Sequence, residues 1–350
     1  MKSPKCFLYE SPRTELDKQP LLIKLLASEN EYEGGLFQVI PAQPFRNLVE
    51  WENDMTQADY LILPVNYVVA LQDINYLEGF FRTAKDNNLK VLITNHGDYT
   101  EPIEVKNGVI LKTSAYKDEL QKNEIIIPAF VEDVGLQYTC TPRLKKSEVP
   151  TIGFSGMVQL PTILAECKYQ LRLIRQRFLI HTRRTSPASY QGLYYRRIAI
   201  AKIKHSKLCK AFFYIRSSFG RNLKTIQGSP HELRQEFIDS IVNADLALVV
   251  RGDGNFSLRF FEVLSLGRIP LFIDTDSPLP LENKIDYDSF MLRVDHTEIH
   301  RLPEIVHEWW QNISPEEYIA MQKRARKAFE DHLKPEVFYK NLFSKLATEK

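Results

Sequence analysis

The residues around position 255 carry side-chain types that bind phosphate groups. An apolar segment ends at Val250, and the loop Arg251-Gly252-Asp253-Gly254-Asn255 follows it, in residue types that tolerate unusual backbone angles. Ser257 lies in the first turn of the helix predicted after this loop. The start of such a helix presents unpaired N–H groups and the positive end of the helix dipole, which favour an anion. The pattern predicts a phosphate-binding loop, although it is neither a P-loop nor a Gly-x-Gly-x-x-Gly sequence.

Two arginines could bind such an anion, and a glutamate could bind a ribose attached to it. Arg251 ends the apolar segment and Arg259 lies about one turn into the helix. A guanidinium group matches phosphate oxygens in bidentate geometry. Glu262 follows Arg259 by three residues on the same helix face, where a carboxylate could accept both hydroxyls of a ribose. The spacing alone predicts equally well that Arg259 and Glu262 form an ion pair on the helix surface.

The segment Ala244–Leu281 resembles the C-terminal signature of the exostosin family, glycosyltransferase family 47. The family pattern is Arg-Gly, a short loop, Ser-x-Arg-Phe-x-Glu and then Gly-x-Ile-Pro-Val before a polar turn. The matching residues of this chain are Arg251, Gly252, Ser257, Arg259, Phe260, Glu262, Gly267, Ile269 and Pro270. Leu271 replaces the usual valine. The resemblance is strongest between Glu236 and Val294.

The resemblance implies the GT-B fold, an α/β fold in which two Rossmann-like domains face each other across a cleft. It also implies transfer of a sugar from a nucleoside-diphosphate donor, with inversion and without a metal. In that scheme Arg251, Gly252, Ser257 and Arg259 bind the donor, and the arginines offset charge on the leaving diphosphate. Glu262 would hold the ribose. No cofactor is expected, and a UDP-sugar is expected ahead of a GDP-sugar.

One short sequence matches a metal-binding motif literally. Asp274-Thr275-Asp276 has the Asp-x-Asp spacing, but it follows a predicted strand of the second half and is interpreted as a turn. The four cysteines are far apart, and no Cys/His cluster has the spacing of zinc ligands. We therefore predict no metal site.

An inverting transfer needs a general base for the acceptor hydroxyl. The loop after the predicted strand Lys90–Thr94 offers His96 and Asp98, and the resemblance extends to this loop because the family tends to carry a His/Asp/Gly loop in this region. Glu101 and Glu132 are weaker candidates. The alternative is that Asp98 caps a turn and His96 is an ordinary polar residue.

The charge of the chain is unevenly distributed. The net charge is +2, but the segment Cys167–His231 contains 15 Lys or Arg residues and no Asp or Glu, so the rest of the chain carries a net charge of −13. A positive segment in a negative chain predicts a polyanionic partner. The candidates are donor phosphates, anionic lipid headgroups, a lipid-pyrophosphate acceptor and nucleic acid. The alternative is a solvated basic helix face.

Two arginines of this basic segment are further candidates for donor phosphates. Arg183 follows the strand-like stretch Arg177–Ile180, and Arg216 follows the predicted strand Phe212–Ile215. The carboxyl ends of parallel strands face the ligand crevice in doubly wound folds. Tyr194-Tyr195-Arg196-Arg197 is expected either to face an anionic membrane or to pack as an ordinary helix. Nucleic acid is not expected as a partner, because no nucleic-acid-binding signature is present.

Strands alternate with helices along the chain, which predicts two parallel-sheet α/β domains. The polar stretch Cys140–Pro150 predicts the boundary between them. We assign residues 1–145 to an acceptor-side domain and residues 146–334 to a domain that binds the nucleotide sugar. A helix over 335–350 is expected to pack back on the first domain.

These features predict a transferase acting on a glycan or lipid-linked acceptor. The competing hypothesis is a catalytically inactive GT-B-like protein that binds a nucleotide sugar or a polyanion. No stretch reaches the roughly 18–20 apolar residues of a membrane span. We therefore expect a cytoplasmic protein, with peripheral contact with an anionic membrane as an alternative.

Overall fold

The computed structural model describes residues 2–10, 19–27, 32–34, 38–138, 141–160, 162–179, 191–217 and 229–348. Two sheets organise these residues. The first contains six strands in the order β4-β1-β5-β6-β7-β8, and the second contains five in the order β10-β9-β11-β12-β13. Every strand pairing within these two sheets is parallel.

The strands of the first sheet are β1 (Lys5–Leu8), β4 (Glu50–Trp51), β5 (Tyr60–Ile62), β6 (Lys90–Asn95), β7 (Gly108–Lys112) and β8 (Glu124–Ile126). The strands of the second sheet are β9 (Thr151–Met157), β10 (Lys210–Arg216), β11 (Leu246–Val249), β12 (Ile269–Asp274) and β13 (Leu292–Asp295). A small antiparallel pair joins β2 (Tyr32–Gly34) to β3 (Gln38–Ile40).

The helices between the strands of the first sheet are α1 (Leu21–Ala27), α2 (Tyr67–Ala70) and α3 (Ile74–Asp86), and α4 (Val134–Gln137) follows its last strand. Those of the second half are α5 (Ile163–Leu179), α6 (Gln191–Lys204), α7 (Pro230–Val242), α8 (Leu258–Ser265), α9 (Leu302–Gln311), α10 (Pro315–Ala328) and α11 (Pro335–Leu346). This alternation around two parallel sheets confirms the predicted pair of Rossmann-like domains.

The central strand of the second sheet, β11, explains why a run of apolar residues predicts a strand in this chain. All four residues of β11 are buried, and Leu246 pairs with Ile269 of β12 on one side and Ile152 of β9 on the other. A parallel strand covered on both faces needs apolar residues at successive positions. The run that ends at Val250 meets this requirement.

The last helix crosses back to the first domain, as predicted. Phe338, Tyr339 and Phe343 of α11 are buried in one cluster with Leu22 and Phe45. The Tyr339 ring also stacks on the ring of Phe130, with centroids 5.3 Å apart. The end of the chain therefore supplies part of the hydrophobic core of the first domain.

Two predicted elements differ from the structure. The sequence over Val69–Asn87 predicts a single helix. The structure has two, α2 and α3, because Asp73 caps the second helix by accepting the N–H of Tyr76 at 3.0 Å. The strand-like interpretation of Arg177–Ile180 was wrong, since α5 continues as a helix to Leu179. Arg177 and Leu179 are good helix formers, which explains why this stretch extends the preceding helix.

Candidate functional site

The loops at the carboxyl ends of the two sheets meet each other. The backbone N–H of Gly254, in the loop after β11, donates to Oδ1 of Asp98, in the loop after β6, at 2.8 Å. The N–H of Asn255 donates to Oγ of Ser114 at 2.7 Å, and its Nδ2 donates to the carbonyl of Ala115 at 2.9 Å. Ligands of doubly wound sheets bind outside the carboxyl ends of strands. This junction is therefore the candidate site.

Gly254 is required by the close approach of the two loops. A Cβ added at this position would lie 2.7 Å from both Cα and Oδ1 of Asp98 and 3.0 Å from Oγ of Ser114. The backbone at Asp98 cannot yield as a flexible side chain could. Any larger residue at position 254 must push the two domains apart.

Asn255 connects three loops at once. Its Nδ2 also donates to the carbonyl of Thr275 at 3.1 Å, and the Thr275 hydroxyl donates to its Oδ1 at 2.6 Å. The hydroxyl of Ser277 donates to the Asn255 carbonyl at 2.6 Å. Asn255 is buried, so these bonds satisfy polar groups that water does not reach. The loops after β7, β11 and β12 are thereby held in one arrangement.

Arg251 lies between the domains. It is only 3% exposed, its Nη1 donates to the Tyr116 hydroxyl at 3.0 Å, and its Nη2 donates to the carbonyl of Asp253 at 3.0 Å. Its Nε has no hydrogen-bond partner among the described residues. Gly252, beside it, donates its N–H to the carbonyl of Phe256 at 2.9 Å and closes the loop.

Arg259 points from α8 into the second domain. Its Nη2 donates to the carbonyl of Ser155 at the end of β9, and its guanidinium carbon lies 4.3 Å from the centroid of the Phe154 ring. Its Nη1 is buried and has no hydrogen-bond partner among the described residues. Burial and, to a smaller extent, the positive charge of Arg196 together lower the pKa of Arg259 to about 9, although the charge of Glu262 opposes them. A cation is thus held here without a hydrogen-bonded carboxylate in the described part of the chain.

Arg196 is a site residue that the sequence reasoning missed. It lies on α6, and its Nη2 donates to the carbonyl of Arg251 at 3.0 Å. Burial lowers its pKa, while Asp253 opposes that change. The start of α6 packs directly on the loop, because a Cβ at Gly192 would lie 2.4 Å from the carbonyl oxygens of Arg251 and Gly252. A glycine one turn before an arginine is the signal that could have pointed to this contact.

The other members of the Tyr194–Arg197 group pack as an ordinary helix. Tyr195 packs on His296 with ring centroids 5.5 Å apart. Arg197 forms a bidentate pair with Glu166 at 2.7 and 2.8 Å and donates to the carbonyl of Val158. The structure therefore favours internal packing for this group over the membrane-facing alternative.

Glu262 lies next to another arginine rather than forming the predicted pair on the helix surface. Nη1 of Arg234 lies 3.5 Å from a Glu262 carboxylate oxygen, and Nη2 of Arg234 lies 3.3 Å from Glu132. Glu132, one of the weaker base candidates, is therefore engaged in an ion pair. Ser257 is the N-cap residue of α8 and makes no side-chain capping bond.

Two arginine candidates remain, Arg216 and Arg183. Arg216 is the last residue of β10, and its guanidinium forms an ion pair with Glu236. Arg183 lies outside the described residues. Their assignment to donor phosphates stays a prediction.

The loop that carries His96 and Asp98 is tightly fixed. The N–H of Gly97 donates to Oγ1 of Thr113 at 2.9 Å, and the Thr113 hydroxyl donates back to the Gly97 carbonyl at 3.0 Å. Gly97 has φ of 132°, a backbone conformation that favours glycine. The Asp98 side chain projects from this loop toward the other domain.

His96 and Asp98 have opposite environments. Burial lowers the pKa of His96 to about 4, and its Nε2 has no hydrogen-bond partner among the described residues. Its ring packs 5.5 Å from that of Phe130. Asp98 is exposed apart from its bond to Gly254. Of the two, Asp98 has the better access to an acceptor hydroxyl.

Asp253 faces Asp98 from the other domain. Burial raises the pKa of Asp253, and the negative charge of Asp98 raises it further. A carboxylate of the opposite domain therefore favours the neutral form of Asp253, as a like charge does in a shared site. Sequence reasoning did not single out Asp253, because its neighbour is distant in the chain.

A buried ion pair supports the segment that follows Asp98. The side chains of Lys112 and Glu124 are fully buried, with Nζ and Oε1 3.1 Å apart. Lys112 also donates to the carbonyl of Glu101 at 2.7 Å, and Glu124 accepts the N–H of Ile103 at 2.9 Å. The pair thus fixes the backbone near Glu101, whose own side chain is exposed.

The literal Asp-x-Asp sequence forms a turn with ion pairs. Asp274 accepts from Arg293 Nη1 at 2.9 Å, Lys117 Nζ at 3.0 Å and the N–H of Ser277 at 2.9 Å. Asp276 has φ of 59°. Within the part of the chain that the structure describes, no three His, Cys, Asp or Glu residues are grouped to hold a metal ion. Nor does any described helix combine the length and apolarity needed to cross a bilayer.

Residues 179–309 match the family model of the exostosin GT47 domain. This segment of the chain is therefore similar to the exostosin GT47 domain. The match covers the loop after β11, Arg196, Arg259 and Glu262. No curated protein sequence matches the chain.

Solved structures of glycosyltransferases are distantly similar to this chain. An alpha-glucosyltransferase in complex with UDP-glucose and DNA is 13% identical, with a TM-score of 0.35 over 84% of this chain and 82% of that one. A second alpha-glucosyltransferase complex, with UDP and a 13-mer DNA, is 13% identical, with a TM-score of 0.39 and full coverage of both chains. The GtfA/B complex bound to UDP and GlcNAc is 9% identical, with a TM-score of 0.30 over 82% of this chain and 56% of that one. At this distance, the ligands of those proteins say nothing about the ligands of this one.

Proposed function

We propose that this chain transfers a sugar from a nucleoside-diphosphate donor to a hydroxyl acceptor at the junction of its two domains. The observation that carries the proposal is the environment of Arg259. Its guanidinium is half-buried, one nitrogen lacks a partner among the described residues, and a second arginine lies close enough to depress its pKa. Two neighbouring, partly buried cations are costly unless an anion compensates them. A diphosphate provides that compensation.

The donor would lie along the start of α8. Arg259 and Arg196 would bind the diphosphate, assisted by the unpaired N–H groups near Ser257. Gly156, at the end of β9, leaves room beside this site, because a Cβ there would approach Nη2 of Arg259 to 3.3 Å. Glu262, one helical turn further on, would accept the ribose hydroxyls.

Asp98 would act as the general base. The acceptor oxygen attacks the anomeric carbon of the donor, and its proton passes to the Asp98 carboxylate. The bond between that carbon and the diphosphate oxygen breaks, and the diphosphate leaves with the electron pair. Arg259 and Arg196 stabilise the charge that develops on it. Attack opposite the leaving group inverts the configuration at the anomeric carbon.

The finer assignments belong to the same proposal. The reaction would need no metal, because the two arginines would supply the positive charge of a diphosphate-bound cation. A UDP-sugar is the donor we expect first, and a glycan or lipid-linked sugar is the acceptor class. We place the activity in the cytoplasm.

The test measures nucleotide binding to the full chain by calorimetry and thermal unfolding, using UDP, GDP, CMP and their sugar conjugates with and without Mg²⁺. One nucleoside diphosphate should raise the melting temperature without metal, because a ligand that binds only the native state stabilises it. Arg259→Ala should abolish this shift. Arg301→Ala, whose side chain is 64% exposed, is the matched control and should keep it.

Two outcomes would change the assignment. If no nucleotide binds, or if Arg259→Ala binds as the wild type does, the donor site is wrong. If a donor binds but neither hydrolysis nor transfer follows with any glycan acceptor, the chain is the inactive nucleotide-sugar-binding protein of the competing hypothesis.

A further inference from the structure

One face of α5 is unusually apolar and open to solvent. Ile163 is 84% exposed, Leu164 is 65% exposed and Leu171 is 67% exposed. Cys167 and Lys168, between them on the same face, are exposed as well. Residues spaced by three and four positions lie together on one side of a helix. The result is a continuous strip, here called the α5 face, in which apolar side chains surround one lysine.

The opposite side of α5 is firmly packed, so the orientation of the α5 face is fixed. Tyr169 is 2% exposed and packs with Met157 and Leu193. The guanidinium of Arg197 lies 4.7 Å from the centroid of the Tyr169 ring and pairs bidentately with Glu166. Turning the helix to bury its exposed leucines would break these contacts.

The sequence that contains the α5 face is basic. The sequence of α5 contains four basic residues and one acidic residue, and that acid, Glu166, is paired with Arg197. From Cys167 to His231 the sequence contains 15 Lys or Arg and no Asp or Glu. Apolar side chains within a basic segment are typical of helices that lie in the surface of an anionic bilayer. A nucleic acid would be complementary to the charge but not to the exposed leucines.

The position of α5 in the fold determines which edge of the domain carries the α5 face. α5 follows β9, whose carboxyl end carries the Ser155 carbonyl that accepts from Arg259. In a parallel sheet, the helix after a strand begins at the carboxyl edge, where the candidate site lies. Ile163 and Leu164 form the first turn of α5 and are therefore on the same edge of the domain as the candidate site.

We propose that the α5 face docks this chain onto an anionic lipid bilayer, with its leucines in the headgroup region and basic residues on lipid phosphates. This contact replaces the membrane-facing role considered for Tyr194–Arg197, a group that packs internally. It does not depend on the proposed transferase activity, and its test needs no donor or acceptor.

The experiment is co-sedimentation of the full chain with vesicles of phosphatidylcholine alone and of phosphatidylcholine mixed with phosphatidylglycerol. The wild type should bind the mixed vesicles, bind phosphatidylcholine alone much less, and dissociate at high salt. The double variant Leu164→Ser/Leu171→Ser should lose about tenfold or more of the partition coefficient. Lys168→Glu should weaken binding to the anionic vesicles selectively.

Leu144→Ser is the matched control, because Leu144 is 75% exposed and lies outside α5. It should bind as the wild type does, and thermal unfolding should show that all variants are folded. Wild-type binding that is equal for both vesicle types, absent, or unchanged in the double variant would overturn the proposal. Light scattering without vesicles gives a further test. A wild-type dimer that is absent in the double variant would also overturn the proposal, because the α5 face would then bind a second copy of the chain.

Discussion

Asp98 accepts the backbone N–H of Gly254 at 2.8 Å, so the candidate base of the first domain is held by the candidate donor loop of the second. This bond crosses the domain junction and involves residues 156 positions apart in the chain. The candidate base and the candidate donor loop are thus held next to each other only when the two domains are in contact.

Gly254→Ala should separate the two loops. The new methyl group would lie 2.7 Å from backbone and side-chain atoms of Asp98, so we expect about 1–3 kcal/mol of destabilisation and a large loss of transfer activity. Gly252→Ala is the control for stability, because the nearest atom to a Cβ added at Gly252 is the Phe256 carbonyl oxygen, 3.8 Å away. Urea unfolding of both variants measures the difference, and equal stabilities would contradict the close approach.

Asp98→Asn should separate binding from chemistry. An amide oxygen can still accept the Gly254 N–H, but it cannot take the acceptor proton, so kcat should fall by about 10²–10⁴ while donor affinity stays unchanged. Initial-rate kinetics and calorimetry provide the two values. A kcat within a few-fold of wild type would move the role to another group, and Asp253→Asn would then be the variant to measure.

Arg196→Ala should weaken donor-diphosphate binding by about ten- to a hundredfold, since a hydrogen bond to a charged group contributes about 1.5–3 kcal/mol. Arg301→Ala again serves as the surface control.

The affinity of the wild type for the donor diphosphate should fall as pH rises through about 9, because the pKa of Arg259 is lowered to about 9 and its charge is lost above that value. An affinity independent of pH up to 10 would argue against contact between Arg259 and the phosphates.

Lys112→Met should destabilise the first domain by about 3–5 kcal/mol, because it leaves the buried Glu124 carboxylate without its cation. The double variant Lys112→Met/Glu124→Leu should recover much of this loss, since it removes both buried charges. Urea unfolding of the wild type, both single variants and the double variant forms a complete cycle. Additive effects in that cycle would mean that the two residues are not coupled.

The pH dependence of stability should contain a contribution from His96. Its pKa is about 4 in the folded chain, below the value of about 6.5 in an unfolded one. The unfolded chain therefore takes up the proton first as pH falls. Stability that is fully present above pH 6.5 is lost between about 6.5 and 4, by about 3 kcal/mol at most. His96→Gln should flatten this part of the curve, whereas parallel curves for the two proteins would show that His96 titrates normally.

The features that sequence reasoning predicted are local ones. The buried strand that ends at Val250 and the helix that carries Arg259 and Glu262 follow from apolar runs and from residues a turn apart. The crossing of the last helix was predicted by analogy with the GT-B fold, and the core around Tyr339 confirms it.

The features that were missed involve residues distant in sequence. Gly192, one turn before Arg196, signals a close approach, but the sequence does not show that the Arg196 side chain meets the Arg251 carbonyl, because that contact depends on how α6 lies across the second sheet. Lys112 and Glu124 look like surface residues in the sequence, since charged residues are almost never fully buried unless they are paired. Only the folded chain shows that they are partners.

The packing of α11 also has a consequence for how the protein is made. The first domain contains the first strands of the chain, yet its core includes Phe338, Tyr339 and Phe343 from near the end. During synthesis on the ribosome, the core of that domain stays incomplete until the whole second domain has been synthesised and can begin to fold. The second domain therefore has the opportunity to fold first, and the early part of the nascent chain is the part that a chaperone would need to shield.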